Sequence, residues 1–261
     1  MSLEQKTVIV TGGATLFGQA VVRELVAQGA NVAVADINVE GGNQVADSVG
    51  DQGIFVETDI TSDASLQELI DATVRTFGGI DGLVNLACSY ADNGADSSRE
   101  EWLSTLDVNV VSAARLGVLA RPALAQCGSS AIVNLTSISS KVAQTGRWTY
   151  PVSKAAMVQL TRNMAMDFAA DGIRVNSVSP GWTWSAIMDT LTSGNRSKTD
   201  AVAATFHFTR RVADPEELAR VIAFLLGPEA SVVTGADWAA DGGYSAMGPE
   251  QAVPAIPALM E

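Results

Sequence analysis

A chain of 261 residues, 47% apolar and 17% charged, has the composition of one soluble globular domain with a substantial core. Its net charge of −13 argues against nucleic acid or an anionic membrane surface as partner. One histidine and two cysteines are too few for a histidine-based metal centre, a His-dependent hydrolytic triad or a disulfide framework, so no metal is expected and a reducing cytoplasm is.

No signal peptide is visible ahead of the first strand, and no apolar run reads as long enough to span a bilayer. Residues 6–10 form a β-branched run expected to be a buried strand. The turn Gly12-Gly13-Ala14-Thr15-Leu16-Phe17-Gly18 follows, with helical periodicity over residues 19–28. Strand, glycine turn and helix together are the setting in which backbone N–H groups cradle a pyrophosphate. Residues 31–36 are a second strand ending in Asp36, whose carboxylate can accept from both adenosine ribose hydroxyls and would repel a 2′-phosphate. That position favours NAD over NADP.

The alternation continues with a strand at 53–58, a helix at 62–77 capped by Ser62, a strand at 81–87 and a long helix at 99–125. A fifth strand at 130–136 precedes a helix at 150–171, and a sixth at 174–179 is closed by Pro180 and Gly181. Asp214 and Pro215 open a helix over 215–226, and a last strand lies at 238–240. Strands alternating with helices throughout predict a single-domain α/β fold: a Rossmann-like, doubly wound, parallel seven-stranded sheet with helices on both faces. Residues 1–243 form this domain, with a polar, mobile lid over 186–211, and 244–261 read as an extended C-terminal arm lying on a neighbouring subunit.

The chemistry is expected around Tyr150 and Lys154, four residues apart and therefore on one helix face. An ammonium beside a phenol favours phenolate, so the pair can exchange a proton nearer neutral pH than a free tyrosine. Substrate contacts are expected from the irregular segments at the C-terminal strand ends. Gln144 and Arg147 can meet a polar or acidic group, Trp182 and Trp184 can wall a flat or cyclic substrate, and His207 either touches substrate or packs between Phe206 and Phe208.

In these motifs, over residues 6–243, the chain closely resembles the short-chain dehydrogenase/reductase family. The resemblance implies that Asn109, Ser137, Tyr150 and Lys154 are catalytic, Ser137 preceding the tyrosine by thirteen residues. It implies cofactor contacts at Gly12, Thr15, Leu16, Phe17 and Gly18, at Asp36, and at Asp59 and Ile60. Asn85 and Ala87 follow from the fourth strand, and Pro180, Gly181, Thr183 and Ser185 from the segment that holds the nicotinamide amide, besides Tyr150 and Lys154 themselves. Two departures stand out: Leu16 replaces a glycine of the turn, and Leu86 and Cys88 replace an asparagine and a glycine after the fourth strand. The implied function is NAD(H)-dependent hydride transfer between nicotinamide and a small, cyclic or aromatic secondary alcohol or ketone, in a homotetramer. A non-catalytic dinucleotide-binding regulator and a 3-oxoacyl-carrier reductase are the alternatives.

Overall fold

The computed structural model describes residues 3–248 and 257. Seven parallel strands, β1 (Thr7–Thr11), β2 (Asn31–Asp36), β3 (Gly53–Glu57), β4 (Gly82–Asn85), β5 (Ser130–Leu135), β6 (Ile173–Pro180) and β7 (Asp237–Ala240), form one sheet in the order β3-β2-β1-β4-β5-β6-β7. β1 pairs with β2 on one side (Val8↔Val32) and β4 on the other (Val8↔Gly82). The winding therefore reverses at β1 and opens a crevice beyond the C-terminal ends of these strands.

Helices α1 (Leu16–Ala27), α2 (Val39–Ser48), α3 (Asp63–Phe77), α4 (Arg99–Leu106), α5 (Ser112–Gln126), α6 (Thr149–Phe168), α7 (Ala186–Thr192), α8 (Arg196–Ala203) and α9 (Pro215–Leu226) connect and cover the strands. Strand side chains alternate between the two faces, and the sequence of β1 shows what that achieves. Val8 and Val10 enter one layer with Val21 and Leu25 of α1 and Ile222 of α9. Ile9, between them, enters the other with Leu66 and Leu69 of α3 and Leu116 and Leu124 of α5. Each such Leu or Ile, withdrawn from water, contributes roughly 1.5–3 kcal/mol, which is why three successive apolar residues are needed where both faces are covered.

The structure departs from the sequence expectations at several places. α1 starts at Leu16, not residue 19, because Thr15 is its N-cap and accepts from the Gly18 N–H at 3.0 Å. α2 has no counterpart in the expectations: Gly41 and Gly42 weaken helical propensity, yet Gly42 is where a Cβ would meet the Phe55 ring at 2.1 Å. The long helix is interrupted by a π-helical stretch, Asp107–Val111, centred on Asn109. The polar lid segment, expected to be mobile, contains α8, capped by Asn195 through the Lys198 N–H (3.0 Å) and anchored by Arg196, which bonds Asp200, Asp214 and the Val212 carbonyl.

The helical run Arg99–Gln126 is long and apolar enough to span a bilayer by length and composition, contrary to the sequence reading. Part of its apolar surface packs on the sheet, with Leu116, Ala120 and Leu124 fully buried, while Leu103, Val111 and Val118 are exposed, Arg115 pairs with Asp63 and Arg121 with Asp171. The arm begins with a 3₁₀ turn, Tyr244–Ala246, rather than extended chain; its proposed subunit contact at 249–256 and 258–261 lies outside the described residues.

Candidate active site

The glycine turn is shaped by contacts that no other residue permits. Gly12 has φ +70°, and a Cβ there would lie 2.9 Å from the Ala87 nitrogen. A Cβ on Gly18 would lie 2.2 Å from the Gly12 carbonyl oxygen, so the start of α1 rests directly on the turn. Thr15 ties the two together, donating to the Gly12 carbonyl at 2.8 Å while it caps the helix. Leu16 occupies the first helical position with ordinary backbone geometry and is 38% exposed, so the substitution adds bulk at the crevice without strain. Phe17 is half-buried, its side chain packed against the core.

Asp36 closes the cradle from β2. One carboxylate oxygen accepts from the Ala14 N–H at 3.0 Å and the other from the Asn38 N–H at 2.9 Å. A carboxylate has about four acceptor positions, so capacity for a diol remains. Asp59 is exposed and bonded to the Thr61 N–H and hydroxyl, the latter being the main cause that holds its carboxyl below the usual value; Ile60 packs partly against the core. Asn85 spends its side chain in a buried chain, donating to Asn134 (2.8 Å), which donates to Thr161 (2.9 Å). The Ala87 N–H is held by the Thr11 hydroxyl at 3.3 Å, and Leu86, which replaces an asparagine, is buried in the core.

Ser137, Tyr150 and Lys154 converge beyond the end of β5. The Ser137 hydroxyl accepts from the Ser139 N–H and donates to the Ser139 hydroxyl, both at 3.1 Å, and Ser139 donates to Gln144 at 2.8 Å. Gln144 thus holds Ser137 through Ser139 and does so with its carbonyl oxygen. Lys154 is buried and donates to the Leu135 carbonyl at 2.9 Å. Burial holds its ammonium below the usual value, and the Cys88 thiol opposes that. Burial likewise pushes the Tyr150 phenol above its ordinary value; Cys88 adds to the rise, while the hydrogen bond with Ser137 and the charge of Arg147 pull it down. The lowering expected from Lys154 is not seen: the phenol is raised on balance, and what opposes the rise is first the Ser137 hydrogen bond and then Arg147, whose guanidinium lies 4.6 Å from the Tyr150 ring centroid, against 5.5 Å for the Lys154 ammonium.

Asn109 is buried in the π-helical stretch, and its side chain is fully engaged. It accepts from the Ser89 N–H (2.6 Å) and donates to the Ser89 carbonyl (2.9 Å) and the Ser153 hydroxyl (3.0 Å). Its side chain is thereby committed to Ser89 and Ser153. The side chain joins α6 to the segment after β4.

Sequence reasoning missed three residues of this site. Tyr90 stacks on Tyr150 with centroids 5.2 Å apart; its ring is half exposed, but burial of the hydroxyl end beside Cys88 pushes its phenol up. Cys88, noted in the sequence only as the replacement of a glycine, acts on both phenols and on Lys154. Asp92 is withdrawn from solvent and accepts from the N–H groups of Gly94 (3.0 Å), Trp148 (2.9 Å) and Tyr150 (3.0 Å). Burial would raise its carboxyl, yet these backbone donors outweigh that and leave it lowered. α6 has no capping side chain of its own, so Asp92, fifty-eight residues before Tyr150, caps it and sets the height of the phenol. No local pattern announces a cap supplied from so far away.

Beyond β6, Gly181 fits where a Cβ would lie 2.7 Å from the Asp241 carbonyl oxygen, and Pro180 ends the strand beside it. Thr183 forms a bridge with Ala213, and Ser185 caps α7. Trp184 lies under the Arg196 guanidinium at 5.3 Å. Trp182 packs edge-on against Phe206 at 4.7 Å. His207 is buried, joined to the Ala203 carbonyl at 3.0 Å and accepting from the Trp182 N–H at 3.2 Å. Burial lowers its pKa, which suits a neutral ring with Nδ1 protonated. It serves the base of the lid, and the structure does not bring it to Tyr150.

Residues 13–245 match a family model described as enoyl-(acyl carrier protein) reductase. The chain is 36% identical over 250 residues to cis-4-hydroxycyclohexanecarboxylate dehydrogenase of Sinomonas cyclohexanicum, covering 93% of this chain and 98% of that protein. It is 36% identical over 251 residues to 2,5-dichloro-2,5-cyclohexadiene-1,4-diol dehydrogenase of Sphingobium indicum, covering 94% and 99%. Among solved structures, that of gox2181 superposes with a TM-score of 0.87 at 26% identity, over 94% of this chain and 98% of the other.

Proposed function

The chain belongs to the short-chain dehydrogenase/reductase family, whose members act on CH–OH groups with NAD or NADP, and from that premise we propose that it oxidises a small alicyclic secondary alcohol with NAD. The observation that supports it is the convergence of the Ser137 hydroxyl, the Tyr150 phenol and the Lys154 ammonium beside a glycine cradle closed by Asp36. Ring alcohols are the substrates named for the two relatives, and both align over nearly their whole length. A carrier-linked reductase is the second reading, favoured by the description of the matching family model. The net charge of −13 works against it, since carrier docking calls for a basic surface.

The residues fit a dinucleotide. Gly12, Thr15, Leu16 and Gly18 would meet its pyrophosphate, Asp36 its adenosine ribose, and Pro180 to Ser185 its nicotinamide. Bound there, nicotinamide supplies the acceptor for hydride. The protein's own part is proton movement and positioning. In oxidation Tyr150 takes the proton from the substrate hydroxyl, and in reduction it returns one. Ser137, fixed by Ser139 and Gln144, hydrogen-bonds the same oxygen in a preset position. Lys154 stands behind Tyr150, and the Asn109 backbone would hold a water through which protons reach solvent.

Titration with NADH and NADPH separately checks the cofactor. NADH should bind tighter, and Asp36→Ala should weaken NADH roughly 10-fold or more while improving NADPH, since a charged hydrogen bond is lost and a repulsion removed. Equal affinities in the parent chain would refute the NAD assignment. We further propose a homotetramer. Leu103 of α4, Val111 of the π stretch, Val118 of α5, and Val152 and Met166 of α6 are exposed apolar residues on the helices that would form a dimer face. Sedimentation equilibrium showing a monomer at micromolar concentration would rule that out. Two unpaired cysteines are consistent with a cytoplasmic protein.

A further inference from the structure

Arg147 stands beside the reacting phenol with its donors unspent. Its backbone N–H is tied to the Gln144 carbonyl at 3.3 Å, and its guanidinium lies over the Tyr150 ring. The nearest acid, Asp92, approaches its Nε only to 3.9 Å, beyond hydrogen-bonding distance. That carboxylate is already occupied by three backbone N–H groups. Among the described residues the Arg147 guanidinium donates no hydrogen bond, although its side chain is only 36% exposed. Five N–H donors in a planar fork, partly enclosed and without an acceptor, match a carboxylate better than any other common group.

We propose that Arg147 receives a carboxylate carried by the substrate, so that the alcohol oxidised is a hydroxy acid whose anionic group lies a few bonds from its carbinol carbon. The assignment of the carbinol end rests on the dehydrogenase reading above. An anion approaching a chain of net charge −13 is repelled overall, so a local cation whose N–H donors are not engaged in hydrogen bonds among the described residues is what lets it dock. Asp92 offsets part of that charge, yet its oxygens are turned to the backbone and leave the fork free. The rival role for Arg147 is to hold the Tyr150 ring, stacked on its other neighbour Tyr90, without touching substrate.

Calorimetric titration of the intact chain, with and without NADH, separates the two. The probes are cyclohexanecarboxylate and the neutral, near-isosteric cyclohexanecarboxamide. The parent chain should bind the carboxylate roughly 10- to 100-fold tighter than the amide, as expected for paired charge-assisted hydrogen bonds. Arg147→Gln should remove that preference, and Arg147→Lys should restore part of it by charge without the fork. No binding of the carboxylate, no preference in the parent chain, or equal weakening of both probes in Arg147→Gln would overturn the proposal. Turnover of hydroxycyclohexanecarboxylates with NAD or NADP is assayed alongside. An Arg147-dependent preference without turnover leaves the carboxylate site standing and refutes the dehydrogenase reading alone.

Discussion

Tyr150→Phe is expected to lower kcat by roughly 10²- to 10⁴-fold while leaving NADH affinity within a few-fold of the parent. The substitution removes one oxygen and keeps the ring, so the stack with Tyr90 at 5.2 Å and the contact with Arg147 at 4.6 Å persist. What is lost is the hydroxyl proposed to carry the proton. Because burial raises the phenol above its ordinary value of 10, it is protonated at neutral pH in the chain alone. The sign follows from that: the protonated form, which serves reduction, dominates below the raised pKa, and the phenolate needed for oxidation grows as pH rises. Oxidation by the parent chain should therefore accelerate toward alkaline pH, and that dependence should vanish in Tyr150→Phe. A variant retaining a tenth or more of parental kcat would place the acid–base role elsewhere.

Asp92→Ala is expected to destabilise the fold by about 2–4 kcal/mol, since several N–H groups at a buried helix start lose their acceptor and capping alone is worth about 1 kcal/mol. For a chain of this size that corresponds to a fall in Tm on the order of 5–15 °C. The carboxyl is lowered in the folded state from an unfolded value of 3.8, so its contribution is fully present above that pH and fades as pH falls through the folded value. The Tm gap between parent and variant should hold at neutral pH and narrow in acid. Turnover should suffer as well, because the Tyr150 N–H is bonded to Asp92 and the phenol moves with the start of α6. Unchanged Tm and unchanged kcat together would show that α6 is capped by something else.

The strands were legible in the sequence to within one or two residues, because where both faces of a sheet are covered a strand such as β1 is an apolar run ending in a turn; β6, with Arg174, Asn176, Ser177 and Ser179, is the exception and was marked by the Pro180-Gly181 that closes it. β2 at Asn31–Asp36 and the helix opened by Asp214 and Pro215 coincide with their expected bounds. α2 was not legible: its two glycines weaken the helical signal, and only the Phe55 ring explains why one of them belongs in a helix. The lid was read as mobile for a similar reason. Arg196, Asp200 and Asp214 look like solvated charges in order along the chain, and become an anchored network once Asp200 and Asp214 meet on one guanidinium.

By itself the sequence determined the family, the doubly wound sheet, the glycine cradle with Asp36, and the placing of Ser137, Tyr150 and Lys154, because each is written in local spacing or in strand–turn–helix order. The tertiary structure alone decided how the phenol is tuned and held. Asp92 caps α6 across fifty-eight residues, Tyr90 and Cys88 arrive from the segment after β4, and the Arg147 guanidinium lies closer to the Tyr150 ring than the Lys154 ammonium does. Burial and through-space charge fix a pKa, and neither is set by residues adjacent in the chain.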